Sequence, residues 1–334
     1  MADKIKVALI GFGGMGHFHA SCYKNQKHAE LVALCDIDKS QFEKLDAEIN
    51  VGNSGQADLS KVEKYLSYEE LVRNADFDML DICLPGHLHA EYAVRALKDG
   101  YHVLCEKPMA RTPALADRMI RAARENNRLL MIAQCLRFGP GFNFLKEAYS
   151  SKKYGKLLRL DMRRNGCLPK QKWYREPAKS GGALLDLHLH DTDFINYMLG
   201  MPDAVMTFGV ARDTGGIDDL LTNYIYKNGP CVSSEGSWCK IGWYSSIIAV
   251  FKKATVELAG NTIKVAVLDQ PVEEIKLEKD TDYYFNEIAY FVDCIRKNKQ
   301  PEQCLPESTR DSIRIAAAEE RSARAGGRKV FLKK

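Results

Sequence analysis

The chain contains no apolar run approaching the ~20 residues that a helix needs to cross a bilayer, so a membrane span is not expected. It contains no Cys-x-x-Cys pair either: its ten cysteines, from Cys22 to Cys304, are scattered singly. That sets aside the closely spaced metal and redox motifs. Cys35, Cys83 and Cys105 lie in or beside apolar runs, where a free thiol packs as a small hydrophobe. Nothing before Ile5 resembles a signal peptide, and reduced thiols in a soluble cytoplasmic protein are the simplest account. No charge of one sign dominates, with 48 basic against 44 acidic residues and a net charge of +4. Arg163-Arg164 and Lys252-Lys253 are short basic clusters of the kind that stay solvated. Neither a nucleic acid nor a membrane is therefore expected as a partner. Repeats, low-complexity stretches and a disordered linker are also missing.

What remains is a 334-residue chain that is 46% hydrophobic and 28% charged, long enough for two domains and a large core. The first part alternates strand and helix patterns. Ile5–Ile10, Leu31–Asp36, Met79–Leu84, Tyr101–Cys105 and Leu129–Ala133 are short, apolar and rich in β-branched residues, as buried parallel strands should be. Met15–Lys24, Lys39–Ile49, Tyr68–Arg73, His89–Lys98 and Ala114–Glu125 show helical apolar faces between them. This alternation predicts a doubly wound parallel sheet. After about Cys135, eight strand-like segments follow from Leu157–Arg163 to Val272–Leu277 with almost no helix between them, which predicts an open, largely antiparallel sheet. Two helices, Phe285–Lys297 and Ser308–Ala325, close the chain. The fold class is α/β: a Rossmann domain over 1–134 and an α+β domain over 135–334, the latter for substrate binding and oligomerisation.

Three segments carry chemistry. Gly11-Phe12-Gly13-Gly14-Met15-Gly16 follows a strand and opens a helix, the setting in which such a turn cradles a pyrophosphate on a helix N-terminus. Asp36 ends the second strand twenty residues after Gly16 and would accept hydrogen bonds from a ribose while repelling a 2′-phosphate. Ile37, not an arginine, follows it, so NAD is favoured over NADP. Glu106-Lys107-Pro108 stands at the carboxyl end of a parallel strand, where ligands bind in such sheets. Alone, it reads as a surface lysine before a helix-breaking proline. Asp186 and His190 lie four residues apart, a spacing that puts a carboxylate and an imidazole on one face of a helix. Alone, that pair reads as a surface hydrogen bond.

Taken in order, the glycine turn, Glu106-Lys107-Pro108 and the run Gly181-Gly182…Asp186…His190-Asp191 resemble the glucose–fructose oxidoreductase and inositol dehydrogenase (Gfo/Idh/MocA) family over nearly the whole chain. Cys83–His89 resembles that family's nicotinamide-side loop, and Tyr284-Phe285-Asn286-Glu287 the start of its late helix. The resemblance implies that Lys107, Asp186 and His190 form the catalytic group, with His190 exchanging the proton of a secondary alcohol. It implies cofactor contacts at Phe12, Gly13, Gly14, Met15, Asp36, Ile37, Leu84, Pro85, His89, Glu106 and Lys107, and a cis Lys107–Pro108 bond. It also implies a homodimer or homotetramer assembled through the second sheet. Arg137, Lys172, Trp173 and Tyr174 flank the catalytic segment and suit a sugar pocket, as does Tyr284, although Trp173 and Tyr174 read equally as packed core.

The chain departs from the family at His188, where relatives usually carry glycine, and at Gly86, where a polar residue is common. His188 puts the substrate pocket in question more than the chemistry. No metal is expected, because Asp186, His188 and His190 have no supporting ligand elsewhere. His17, His19, His28 and His102 read as structural or surface residues. The expected activity is NAD-dependent oxidation of a secondary hydroxyl on a cyclic polyol, sugar or glycoside. Two rivals stay open: a retained-NAD enzyme that oxidises a sugar transiently and then eliminates or epimerises, and a non-catalytic NAD- or sugar-sensing regulator.

Overall fold

A computed structural model describes residues 4–44, 48–49, 52–53, 59–278 and 282–332. The chain divides into two compact units, one comprising Met1–Cys135 with Tyr283–Thr309, the other Leu136–Asp282 with Arg310–Lys334. Residues 283–309 thus group with the first unit, not with the stretch that precedes them.

The first unit holds a six-stranded, wholly parallel sheet. Its strands lie in the spatial order Glu63–Tyr65, Ala29–Cys35, Ile5–Ile10, Met79–Ile82, His102–Glu106 and Leu130–Ala133. The order reverses between Ile5–Ile10 and Met79–Ile82, and their carboxyl ends flank the crevice where such folds take a dinucleotide. Val7, Ala8, Leu9, Leu80, Ile82, Val103 and Leu104 are wholly inaccessible, as strands covered on both faces require. The helices that cover them obey local rules. Helix Pro113–Glu125 starts on Thr112, whose side chain accepts the Leu115 N–H, with Pro113 in the first turn where its missing N–H costs nothing. It buries Ala116, Met119, Ile120 and Ala123, and ends where Asn127 turns left-handed at φ 51°.

The expected helix over 39–49 is not formed. Asp38 accepts the Ser40 N–H and starts a single 3₁₀ turn, Lys39–Glu43, and Glu48–Ile49 pairs with Gly52–Asn53 as a strand. Residues 45–47 of that expectation lie outside the described residues. The edge strand Glu63–Tyr65 and the helix Pro140–Ser150 were not expected. The strand is short and polar. The Pro-Gly start of the helix looks like a turn, yet Pro140 occupies its first position.

The second unit is built on a nine-stranded sheet. Its order is Glu273–Lys276, Thr262–Val267, Ala254–Ala259, Cys239–Phe251, Leu157–Cys167, Cys231–Ser237, Asp219–Ile225, Ala204–Val210 and Val330–Phe331. Only Leu157–Cys167 and Cys231–Ser237 run parallel; every other pairing is antiparallel. One face packs inward through Val205, Thr207, Thr222, Tyr224, Val232 and Ser234. The Thr207 N–H donates to Ser322 on the helix Pro306–Arg324. The other face is open: Phe208 and Leu221 stand opposite each other in adjacent strands and are 52% and 46% exposed.

Candidate active site

In the first unit the glycine turn has the geometry of a phosphate cradle. Gly11 sits at φ 91°, and a side chain there would drive into the backbone of Cys83 and Leu84 at 2.8–2.9 Å. A side chain at Gly16 would meet the Gly11 carbonyl oxygen at 2.1 Å, so the helix Gly14–Tyr23 can approach the turn only with glycine there. The position of a Cβ on Gly13 is open, with nothing within 4 Å. Gly13, Gly14 and Met15 are half-buried, while Phe12 is fully buried and stacks on His17 at 3.9 Å. Asp36 is tied to this turn. Its Oδ2 accepts the Phe12 N–H at 2.7 Å and its Oδ1 the Asp38 N–H at 2.8 Å. Each oxygen keeps a further lone pair for a ribose hydroxyl. Ile37 beside it is 90% exposed and offers no cation to a 2′-phosphate. These residues fit a dinucleotide, and NAD better than NADP.

His89 and Glu106 do not offer themselves to a cofactor as expected. His89 is buried, with Nε2 2.6 Å from the Leu84 carbonyl and Nδ1 2.8 Å from that of Pro108. It clasps the nicotinamide-side loop to the segment after Lys107. Burial lowers its pKa, while the two carbonyls and Glu106 act to raise it. Glu106 is also buried; it accepts the Lys107 N–H at 2.9 Å and faces His19 at 3.2 Å. Burial opposes its ionisation, but His19, with Lys107 and His89 nearby, holds the carboxyl below its ordinary range. Lys107 is half-buried and its bond to Pro108 is cis, while Leu84 and Pro85 are half-buried. Tyr284, on the helix Tyr283–Arg296, packs edge-on against Phe18 at 4.8 Å, and burial raises its phenol well above its ordinary pKa.

In the second unit Gly181 and Gly182, both at positive φ, turn the chain into a π-helical turn, Leu184–His188, which continues as the α-helix Leu189–Leu199. Asp186 lies in the wide turn and His190 in the first turn of the regular helix, both half-buried. The plain α-helical spacing expected for this pair is therefore modified by an inserted residue, a feature frequent at functional sites. His188 is fully buried, with Nε2 3.2 Å from the Tyr224 hydroxyl and 3.6 Å from Glu319. Tyr224 in turn meets Thr192, which donates to Glu319.

Arg137 is a correction as well. It is 1% exposed, and its Nε and Nη2 donate to Asp193 at 2.8 and 2.7 Å, an internal ion pair rather than a hand held out to a sugar. Lys172 is exposed. Trp173 and Tyr174 are half-buried and stack at 3.8 Å, and Tyr174 meets the buried Trp238 edge-on. Their packed-core reading therefore has direct support. His19 is the residue whose importance sequence reasoning missed, for its partners Asp81 and Glu106 lie 62 and 87 positions away. Among the described residues, His19 also brings together two groups of metal-ligating type, with Asp81 and Cys83 and with Glu106 and Glu287. Burial keeps the Cys83 thiol protonated, and both His19 ring nitrogens face carboxylates at hydrogen-bonding distance, so neither group is assigned a metal.

Comparison with known proteins agrees with this arrangement. Residues 5–134 match the oxidoreductase family with an NAD-binding Rossmann fold, and residues 142–261 match the Gfo/Idh/MocA C-terminal domain. The chain is 24% identical to myo-inositol 2-dehydrogenase of Thermotoga maritima over 89% of its own length and 90% of that protein. It is 29% identical to 2,7-anhydro-N-acetylneuraminate hydratase of Mediterraneibacter gnavus over 64% of its length and 56% of the relative. Its fold is shared with the WlbA dehydrogenase of Bordetella pertussis, solved with NADH and UDP-GlcNAcA: TM-score 0.83, 20% identity, 100% of this chain and 99% of that one. The chain belongs to the Gfo/Idh/MocA family of NAD-binding oxidoreductases.

Proposed function

We propose that this oxidoreductase is an NAD-dependent dehydrogenase acting on a secondary hydroxyl of a cyclic polyol, sugar or glycoside. The observation that carries the reading is the joint presence of a cofactor turn completed by Asp36, a lysine at the carboxyl end of a strand of the same sheet, and an acid–imidazole pair where a π-turn runs into an α-helix. A relative named myo-inositol 2-dehydrogenase, matched along nearly its full length, supports the substrate class. Bound NAD supplies the hydride acceptor. Lys107 holds the hydroxyl oxygen and favours its alkoxide character; His190 takes the proton; Asp186 orients the imidazole. Polyols, sugars and glycosides screened by NADH fluorescence test this, and no NADH from any of them under saturating NAD would refute it.

One observation favours a second reading. A relative named a hydratase indicates that this scaffold also hosts chemistry with no net oxidation. If NAD copurifies and substrate is consumed without a change in NADH absorbance, the retained-cofactor cycle replaces the dehydrogenase. The regulator reading is weaker, since a sensor has no use for Lys107, Asp186 and His190 together.

Two further outcomes follow from the same reading. NAD should bind more tightly than NADP in calorimetric titration. Asp36→Ala should narrow the gap by roughly tenfold or more, since hydrogen bonds to a charged group contribute about 1.5–3 kcal/mol. NADP binding equally well to the wild type would overturn the cofactor preference. The open sheet face carrying Phe208 and Leu221 is the expected homodimer or homotetramer surface. Light scattering at micromolar concentration should give a multiple of the chain mass, and Phe208→Glu/Leu221→Lys should reduce it to one chain.

A further inference from the structure

The first unit contains a buried set of charges that the proposed chemistry does not use. His19, on the helix that follows the glycine turn, is wholly inaccessible. Its Nδ1 lies 2.9 Å from Asp81 Oδ2 and its Nε2 3.2 Å from Glu106 Oε1. Asp81 is itself fully buried and accepts the Tyr23 hydroxyl at 2.8 Å, with the Cys83 thiol 3.7 Å away. From the helix Tyr283–Arg296, the Glu287 carboxylate lies within 4.8 Å of His19 and Glu106, and the Tyr284 ring stands 6.1 Å from the imidazole. Lys107 and His89 also act on the charge of Glu106. An ionised carboxylate has no proton to give, so a histidine that satisfies one at each nitrogen must carry both protons. Several carboxylates buried together cannot all stay ionised without such a cation.

The three residues lie on three different paths. Helix Gly14–Tyr23 leads from the phosphate turn, strand Met79–Ile82 into Leu84-Pro85, and strand His102–Glu106 directly into Lys107. We propose that His19 is a positioning residue, held as an imidazolium between Asp81 and Glu106, that keeps Glu106 ionised and thereby sets the placement and charge of Lys107. The idea rests on the reading of Lys107 as the cation at the reacting oxygen. His19 touches neither substrate nor cofactor in this scheme; it acts through Glu106.

Nuclear magnetic resonance of enzyme labelled with ¹⁵N-histidine reads the charge directly, with His19→Gln assigning the signals. Both ring nitrogens of His19 should stay protonated from about pH 6 to about pH 9, far above the ordinary histidine range. A neutral ring at about pH 8 would overturn the proposal. The positioning claim is tested in His19→Gln/Asp81→Asn, which removes one cation and one anion together and so limits the risk of misfolding. NAD affinity should hold within about threefold, while the alkaline limb of kcat moves down by about half a pH unit or more. The sign follows because Glu106, without its cation, takes up a proton and the Lys107 ammonium loses a stabilising anion. An unmoved limb in a folded double variant would reduce His19 to a structural residue and sink the claim. If the double variant does not fold, Glu106→Gln should allow His19 to lose a proton at lower pH, and an unchanged His19 titration would count against the clamp. Should Lys107→Ala keep wild-type turnover while His19 remains an imidazolium, the failure belongs to the role given to Lys107 and not to the charge of His19.

Discussion

Replacing His190 by alanine is expected to lower kcat by roughly 10²–10⁴-fold while leaving NAD affinity nearly unchanged. A positioned base contributes on that scale because the hydroxyl proton must leave as hydride departs. Only neutral imidazole can accept it, so wild-type kcat/KM for oxidation should rise with pH through the ionisation of the free enzyme's base. His190→Ala should abolish that limb, and Asp186→Asn should distort it by changing how the ring is held and how readily it takes charge. His188 is the natural competitor in the sequence, two residues away. Its burial against Tyr224 and Glu319 argues against that role, so His188→Ala should keep the ionisation even if it weakens the fold. Wild-type turnover and pH dependence in His190→Ala, measured on a verified substrate, would overturn the assignment.

The largest effect on stability is expected at Arg137. Arg137→Met removes one partner from a doubly hydrogen-bonded pair in which both side chains are 1% exposed. The carboxylate of Asp193 would be left with the Ser312 hydroxyl at 2.8 Å and no adjacent cation. Breaking a buried pair from one side costs about 3–5 kcal/mol, most of it the stranded charge. Urea unfolding of the second unit should therefore begin at much lower denaturant in Arg137→Met. Removing both charges, as in Arg137→Met/Asp193→Leu, should recover much of the loss, because two apolar side chains have no desolvation to repay. A single variant as stable as the wild type would show that the pair contributes little; a double variant no better than the single would shift the cause to lost packing over Tyr197, whose ring lies 4.7 Å from the guanidinium.

These two residues show what was legible in advance. The glycine turn could be read because a Cβ at Gly11 or Gly16 would come within 3 Å of neighbouring backbone, which excludes every other residue there. Short strands such as Ile5–Ile10 were legible as apolar runs, and helices with clear apolar faces such as Pro113–Glu125 through their period. Arg137 was misread because a cation near a catalytic segment looks the same whether its partner is a ligand or a carboxylate 56 positions later. The π-turn was invisible in Leu184–His188, since one inserted residue leaves no compositional mark in an apolar run. Lys39–Glu43 stays a single 3₁₀ turn: Asp38 caps its start, and the chain leaves it extended at Lys44, φ −78° and ψ 132°. His19 looked like a surface or structural histidine because both its acids come from strand positions that the chain reaches only much later.

The first unit is made from two stretches of chain, and this has a consequence for how the molecule comes off the ribosome. Its sheet is complete by Ala133, yet Glu287, Ile288, Phe291 and Val292, all buried within the same unit, are translated only after the whole of residues 136–282. Cys304 and Thr309, which bond to the Ile132 carbonyl and the Met109 sulfur, come later still. A nascent chain that has released its first 135 residues therefore holds a nearly finished nucleotide fold with an apolar flank uncovered and the His19 cluster missing its last carboxylate. Domain-by-domain maturation, with the amino-terminal part finished first, is closed to this topology: the first unit becomes whole only once residues 283–309 have followed the greater part of the second.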